Sequence, residues 1–443
     1  GGGDDVKSPV AAWSIWGIGG PLPRKHDRLP FNRHELGNGM VVLGQAQPDD
    51  PGVSVRIRIP AGALSDPAGL EGTAVLTARS LMRGTPRRTF EKINDFTDSL
   101  GASIGVDASR RWVEIGLRCL REDLDEMLTL AAEVLRYPIF PEEEVEKVRK
   151  ELLTGIRESE QDTRATADRG LRHLLYPSPH LLGRRTAGDI ETVSAIPAAL
   201  LPDYHARHFG PTGSVVSVVG GIDELIYAVD ILERVFGDWS AQTSVQPDVP
   251  AAPAPVGGVE RSAIAGKSQA DIAIGLPTIA RTHPDYYALD MANLVLGRLG
   301  LMGRLGANVR DLQGLAYYAG SALEPGLEGS IWAAKAGVDP ANIDRARDSI
   351  IAELRRITTE PVSPEELNDA KSYQTGILPL ALESNDGIAS ILMTIEHFNL
   401  GLDFLDRYPA TIEALTAEDL MRAASQHLEP DLVATGIAGP PNS

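Results

Sequence analysis

The stretch NVRDLQGLAYY, Asn308 to Tyr318, sets an arginine and a tyrosine seven residues apart, Arg310 and Tyr317, on either side of a Gly-Leu-Ala break. Arginine offers a rigid fork of N–H donors and tyrosine a single O–H. Fixed donors of this kind, aimed at a carbonyl oxygen on which charge develops, lower the barrier of a reaction at that carbonyl. The same residues also have a plain structural use: a helix C-terminus favours arginine, and a tyrosine that starts a strand is ordinary core. In either use the chain must leave a helix after Arg310 and begin a strand near Tyr317. Gly314-Leu315-Ala316 supplies that exit.

Just upstream, Gly297, Gly300, Gly303 and Gly306 recur every three residues in LGRLGLMGRLGANVR. The segment lacks the GK[ST] ending and the preceding strand of a phosphate loop. It reads as a loosely packed loop or frayed helix, in which Arg298 and Arg304 could meet acidic groups of a peptide. His205 and His208 stand at i and i+3 in DYHARHF without an acidic companion or a third ligand. They read as the end of a helix entering a strand, and His173 and His180 as structural or surface residues. The single cysteine, Cys119, excludes an internal disulfide and a cysteine-based zinc site. Its strand position makes it a small buried hydrophobe.

The 443 residues exceed one ordinary core, and 43% hydrophobic with 23% charged residues is a soluble, globular balance. A net charge of -19 disfavours the phosphate contacts of nucleic-acid binding. No apolar run approaches the length of a membrane span. Residues 1–27, with Trp13 and Trp16, read as an extended arm. The GGGDD start fits a trimmed mature terminus or an expression scar. The preferred compartment is the periplasm or cell envelope, the cytoplasm being the other option. The Pro/Ala-rich segment 246–258 predicts an extended linker between residues 28–245 and 259–443. The two parts repeat: Val145, Val148 and Leu152 fall where Leu367, Ala370 and Gln374 stand 222 residues later. Pro141 and Pro364 are expected to open these helices at N1. The predicted class is therefore α+β, two homologous sandwich halves, each a mainly antiparallel sheet covered by helices on one face.

An ordered set of phrases carries a family likeness: LGNGMVV (36–42), PAGALSDP (60–67), a Gly and a Leu leading to RGT (72–85), YPIFPEEEVEKVR (137–149), YHARHFGPTGSVVSVVGGID (204–223), KSQADIAIGLP (267–277) and GLAYYAGS (314–321). Over roughly residues 30 to 435 the chain resembles the insulinase/pitrilysin/mitochondrial-processing-peptidase family of inverted zinc peptidases. In that family an HxxEH helix precedes a GT dipeptide; its two histidines bind zinc and its glutamate is the general base. Counted back from Gly84-Thr85, the corresponding residues are Val75, Leu76, Thr77, Ala78 and Arg79. Neither histidine nor the glutamate is present, and the third ligand would fall near Thr154 or Gly155. Val75, Ala78 and Arg79 thus mark a degenerate zinc site, and no cofactor is expected in this chain.

The resemblance implies that Arg310 and Tyr317 reach a substrate peptide, and that the glycine-rich segment lies at the entrance of a substrate cavity. Some bacterial members divide the work between an HxxEH subunit and an Arg/Tyr subunit, with substrate added as a strand to the catalytic sheet. The expected function is accordingly the non-catalytic subunit of a heterodimeric zinc peptidase, inactive alone. The zinc would reside in an HxxEH-bearing partner, and Arg310 and Tyr317 would support a peptide carbonyl in trans. The alternatives are a structural core subunit of a larger, respiratory-type complex, or a homodimeric peptide-binding module without proteolysis.

Overall fold

The computed structural model describes residues 30–240 and 246–441, so the expected arm at 1–27 lies outside the described residues. The first sheet contains β1 (Asn32–Glu35), β2 (Val41–Ala46), β3 (Gly52–Ile59), β4 (Ser103–Ala108), β5 (Val113–Leu120) and β6 (Val215–Gly220), in the order β1-β2-β6-β3-β5-β4. The second contains β7 (Val259–Ala263), β8 (Ala270–Thr278), β9 (Ala316–Glu324), β10 (Ser330–Val338) and β11 (Ala434–Gly439), in the order β7-β11-β8-β10-β9. With β1 set aside the two orders correspond strand for strand. Each sheet has one parallel pair, β2 with β6 and β7 with β11, in an otherwise antiparallel ladder. The mixed α/β halves are those the sequence predicts. Segment 246–258 contains neither helix nor strand.

Helix periodicity follows the burial. The helix Leu124–Arg136 buries Leu124, Met127, Leu128, Ala131 and Leu135 on the first sheet, and Glu142–Glu160 buries Val145, Val148, Leu152 and Ile156. Pro364 occupies N1 behind a Ser363–Glu366 capping box, as expected. Pro141 instead stands one position earlier, as the N-cap residue with extended backbone (ψ 127), and Glu142 begins the helix.

The expectation of one covered face per sheet needs correction, because both faces are covered. Every residue of β2 and β11 is buried, the signature of a strand packed on two sides. The second cover comes from the other half. The helix Thr163–Leu175 leaves the first half and lies across β7, β8 and β11, where Ala167, Leu171 and Leu175 join Ala273, Ala434 and Ala438 in one apolar cluster. The helix Asn385–His397 leaves the second half and lies on β2, β3 and β6, where Ile388, Ala389 and Leu392 meet Val41, Leu43 and Val219. These helices are related by the same 222-residue step as the helices before them. So are their caps: the Asp162 side chain accepts from Ala165 N at 2.8 Å, and Ser384 Oγ from Gly387 N at 3.0 Å. Burial of a leucine such as Leu392, 0% exposed, contributes about 1.5–3 kcal/mol. The duplicated halves are thus tied together by reciprocal exchange as well as by a linker.

Candidate functional site

Arg310 lies in a π-helical turn, Gly306–Leu312, that ends abruptly. Gly314 takes a left-handed conformation (φ 62) and its N–H donates to Arg310 O at 3.0 Å, while Leu315 N donates to Val309 O at 2.9 Å. Two successive carbonyls are thereby satisfied and the chain swings into β9, an edge strand. The ladder slips immediately. Tyr318 pairs with Gly337 and Ala316 with Val338, so Tyr317 is the extra residue of a β-bulge. Tyr317 is 66% exposed. Among the described residues the one ion pair of Arg310 is with its neighbour Asp311, at 3.6 Å, with 35% of its side chain exposed. Among the described residues no hydrogen bond joins the two. Tyr318 takes the packed position: its hydroxyl donates to Asp271 at 2.5 Å, and Arg164 lies 4.2 Å above its ring.

The glycine-rich segment is closely folded against this site. Gly300 and Gly303 have φ of 57 and 59, and Met302 Sδ accepts from the β9 amide of Ala319 at 3.4 Å. A Cβ on Gly297 or Gly306 would stand 2.1 Å from Ser321 Oγ or from Leu301 O, respectively. The two arginines expected to meet acidic peptide groups are already engaged. Arg304 forms a two-bond fork with Glu366, each bond 2.7 Å, and Arg298 reaches Asp290 at 3.1 Å. The Arg304 hydrogen bonds hold the Glu366 carboxyl down at about 2. Sequence adjacency to the loop could not reveal partners that lie on other helices.

The degenerate positions lie on the short helix Thr73–Ser80. Val75 and Ala78 are buried in the first core, and Arg79 points outward in a two-bond pair with Asp107 at 3.0 and 3.1 Å. Arg79 and Gly155, far apart in sequence, border one cavity of about 510 Å³. Leu152, Gly155, Ile156 and Ser159 form one wall. A second is the cavity-facing stripe Ala165, Asp168, Arg169 and Arg172 of the exchanged helix, with Arg110, Arg184 and Arg185 completing the ring. The helix start is braced by Asp66, whose carboxylate accepts from Gly72 N and Ala74 N at 2.8 Å each. Burial outweighs these donors and pushes the Asp66 carboxyl up to about 7. The native state then holds a proton that an unfolded aspartate, near 3.9, releases, so stability falls as pH rises through the window between them. Asp66→Asn should flatten this part of the stability curve, which urea unfolding at several pH values between about 4 and 7 would check.

The remaining single-residue expectations fall out simply. His205 Nε2 meets Leu135 O at 2.7 Å and His208 stacks on Tyr204, both at the end of the helix Leu200–His208 before β6. His180 caps Leu182 N, and His173 pairs with Glu260. Cys119 is buried in β5, and burial pushes its thiol up to about 12. The sequence reading missed His283, Asp285 and His427, whose ligand atoms lie within 4.8 Å of one another. Asp285 is already bonded by Arg422 and His427, each at 2.9 Å, and the Arg422 bond chiefly keeps its carboxyl low, at about 2. A guanidinium on the carboxylate makes this an ion-pair cluster. Only the fold joins residues this far apart, so no local spacing signalled it.

A family model described as insulinase (peptidase family M16) matches residues 41–177, and one described as the peptidase M16 inactive domain matches residues 195–373. Together they span both halves. The chain belongs to the insulinase family of peptidases. It is 26% identical over 438 residues to an uncharacterized zinc protease of Mycobacterium tuberculosis, covering 95% of this chain and 97% of that one. It is 23% identical to the mitochondrial-processing peptidase subunit beta of Saccharomyces cerevisiae, covering 82% and 81%. The crystal structure of a peptidase M16 inactive domain from Pseudomonas fluorescens superposes with a TM-score of 0.86 at 24% identity, over 93% of this chain and 98% of that one.

Within this insulinase-family fold the residues do not fit the family's zinc. Two of the three HxxEH ligand and base positions are aliphatic, and Arg79 brings a fixed positive charge. Gly155 leaves open space where a Cβ would stand, with no donor to fill it. The match of residues 195–373 to the peptidase M16 inactive domain fits a non-catalytic peptidase-like subunit.

Proposed function

We propose that this insulinase-family chain is the non-catalytic subunit of a heterodimeric zinc peptidase, and that Arg310 and Tyr317 hold the substrate peptide at the active site of an HxxEH-bearing partner. The zinc belongs to that partner. One observation carries the reading: Tyr317 is 66% exposed at a bulged sheet edge, where a core tyrosine would be tucked in, and Arg310, in the π-turn just before it, is held by no more than a 3.6 Å pair with its neighbour Asp311. Bulges and π-turns recur where a side chain is aimed at a ligand. Tyr317 would donate its O–H, and Arg310 its N–H fork, to a peptide carbonyl gaining negative charge.

The test is gentle purification from the native cell followed by mass spectrometry of what accompanies the chain. A stoichiometric partner of similar size with an intact HxxEH is the expected result. Recovery with membrane-complex subunits, or alone, would replace this reading with a scaffold or a peptide-binding module.

A further inference from the structure

The cavity beside the degenerate motif has an unusual charge for a chain with a net -19. Six arginines line it: Arg79, Arg110, Arg169, Arg172, Arg184 and Arg185. Four are matched by carboxylates. Arg79 pairs with Asp107 and Arg172 with Glu324 at 3.0 Å; Arg184 approaches Glu71 at 3.7 Å; and Arg185 meets Asp189 at 3.1 Å and Glu160 at 3.6 Å. Arg110 donates to the Leu182 and Arg184 carbonyls at 3.0 and 3.1 Å, and Arg169 to Thr166 Oγ1 at 3.0 Å; neither has a carboxylate partner. The one carboxylate in the wall, Asp168, is held by Lys335 at 2.6 Å, and His173 is turned to Glu260 at 3.3 Å. Burial, with the Arg172 charge second, lowers the Arg110 guanidinium to about 10, so it remains a cation at neutral pH while largely stripped of water. Glu324, already paired with Arg172, offsets this only from beyond direct pairing distance, and an anion entering the cavity would relieve the partly desolvated cation.

We infer that this cavity is a carboxylate-binding site, which takes the free C-terminus or an acidic side chain of a peptide between Arg169 and Arg110. Guanidinium forks match the planar carboxylate, and about 510 Å³ holds a short peptide end. Leu152, Ile156, Ala165 and Ala187 give the same cavity an apolar wall for the rest of the residue. A position that suits a cation in a zinc peptidase has become its electrostatic opposite. The peptide as ligand class rests on the proposed peptidase partnership; the preference for a carboxylate rests on the arginines.

The test uses the full chain alone, at low salt, with three dye-labelled short peptides read by fluorescence anisotropy. One has a neutral sequence with a free C-terminus, one is the same peptide amidated, and one is amidated with internal glutamates. Inorganic phosphate serves as a fourth probe, by competition. Binding of the free-acid peptide, the glutamate peptide or both, but not of the amidated neutral one, is expected, and shows which carboxylate is used. Arg169→Gln, which removes a single hydrogen bond to Thr166, should weaken that binding about tenfold, the usual scale for one charge-assisted hydrogen bond. Arg169→Glu should abolish it with the urea midpoint unchanged. Equal binding of the amidated neutral peptide would overturn the assignment, as would flat titrations, response to phosphate alone, or indifference to both Arg169 variants. If a peptidase partner is recovered and the titrations are flat, the cavity assignment alone falls. If the carboxylate peptide binds and no partner exists, the partnership alone falls.

Discussion

Arg310→Ala combined with Tyr317→Phe is expected to lower turnover of the assembled peptidase by about 10² to 10³, the loss associated with removing a donor to a developing oxyanion. The size of the effect follows from when the interaction is made. Donors that strengthen as charge grows on the carbonyl act on the rate, whereas donors that hold ground and transition states alike act on KM. The fold should be indifferent. Tyr317 is 66% exposed, so loss of its hydroxyl leaves no buried group unpaired, and the Asp311 contact of Arg310 at 3.6 Å is a weak surface pair. The measurement is kcat and KM of the reconstituted pair with a quenched peptide. A rate within threefold of the parent, with the partner still bound, would remove these residues from the site. Tyr318→Phe provides the contrast. It loses an internal bond to Asp271 at 2.5 Å, so its effect should appear in stability first.

Gly436→Val is expected to destabilise the protein by about 3 kcal/mol or more, through overpacking against immobile neighbours. Gly436 lies in β11 beneath the exchanged helix Thr163–Leu175. A Cβ there would sit 2.0 Å from Ala167 O and 2.5 Å from Leu171 N, both backbone atoms of the helix. No rotamer change can relieve that clash. The helix must lift, and Ala167, Leu171 and Leu175, all nearly buried, lose their seat on the second sheet. The same lift would move Arg169 and Arg172, so carboxylate binding should fall with stability. Gly116→Val is the control: Gly116 lies in β5 with nothing within 4 Å of the Cβ position, and a β-branched residue suits a strand. Urea unfolding of the two variants decides the matter, and equal midpoints would show that the helix does not rest on Gly436.

Much of this molecule was legible in the residue order because local periodicity reports an element's own faces. Val145, Val148 and Leu152 show the inward stripe of a helix, and the 222-residue step to its counterpart shows a duplication. Gly314 shows where the chain must turn from the Arg310 helix into β9. The side-chain chemistry of Val75, Ala78 and Arg79, none of which is a zinc ligand, likewise needs no structure to interpret. What an element packs against was not legible. The same apolar stripe on Thr163–Leu175 would serve its own half or the other, and only the tertiary structure places it across β7, β8 and β11.

Partners behave the same way. Arg298 and Arg304, next to a glycine-rich loop, looked available until the fold brought Asp290 and Glu366 to them. Residue type does not separate Tyr317 from Tyr318, which only the spacing from Arg310 told apart, and a single slipped register in β9 sends one outward and the other onto Arg164. The arginine cavity gathers side chains from Arg79 to Arg185 that share no spacing rule. By itself the sequence determined the elements and their duplication, because these depend on neighbours along the chain. The tertiary structure decided which charges remain unpaired and which faces remain open, because those depend on neighbours in space.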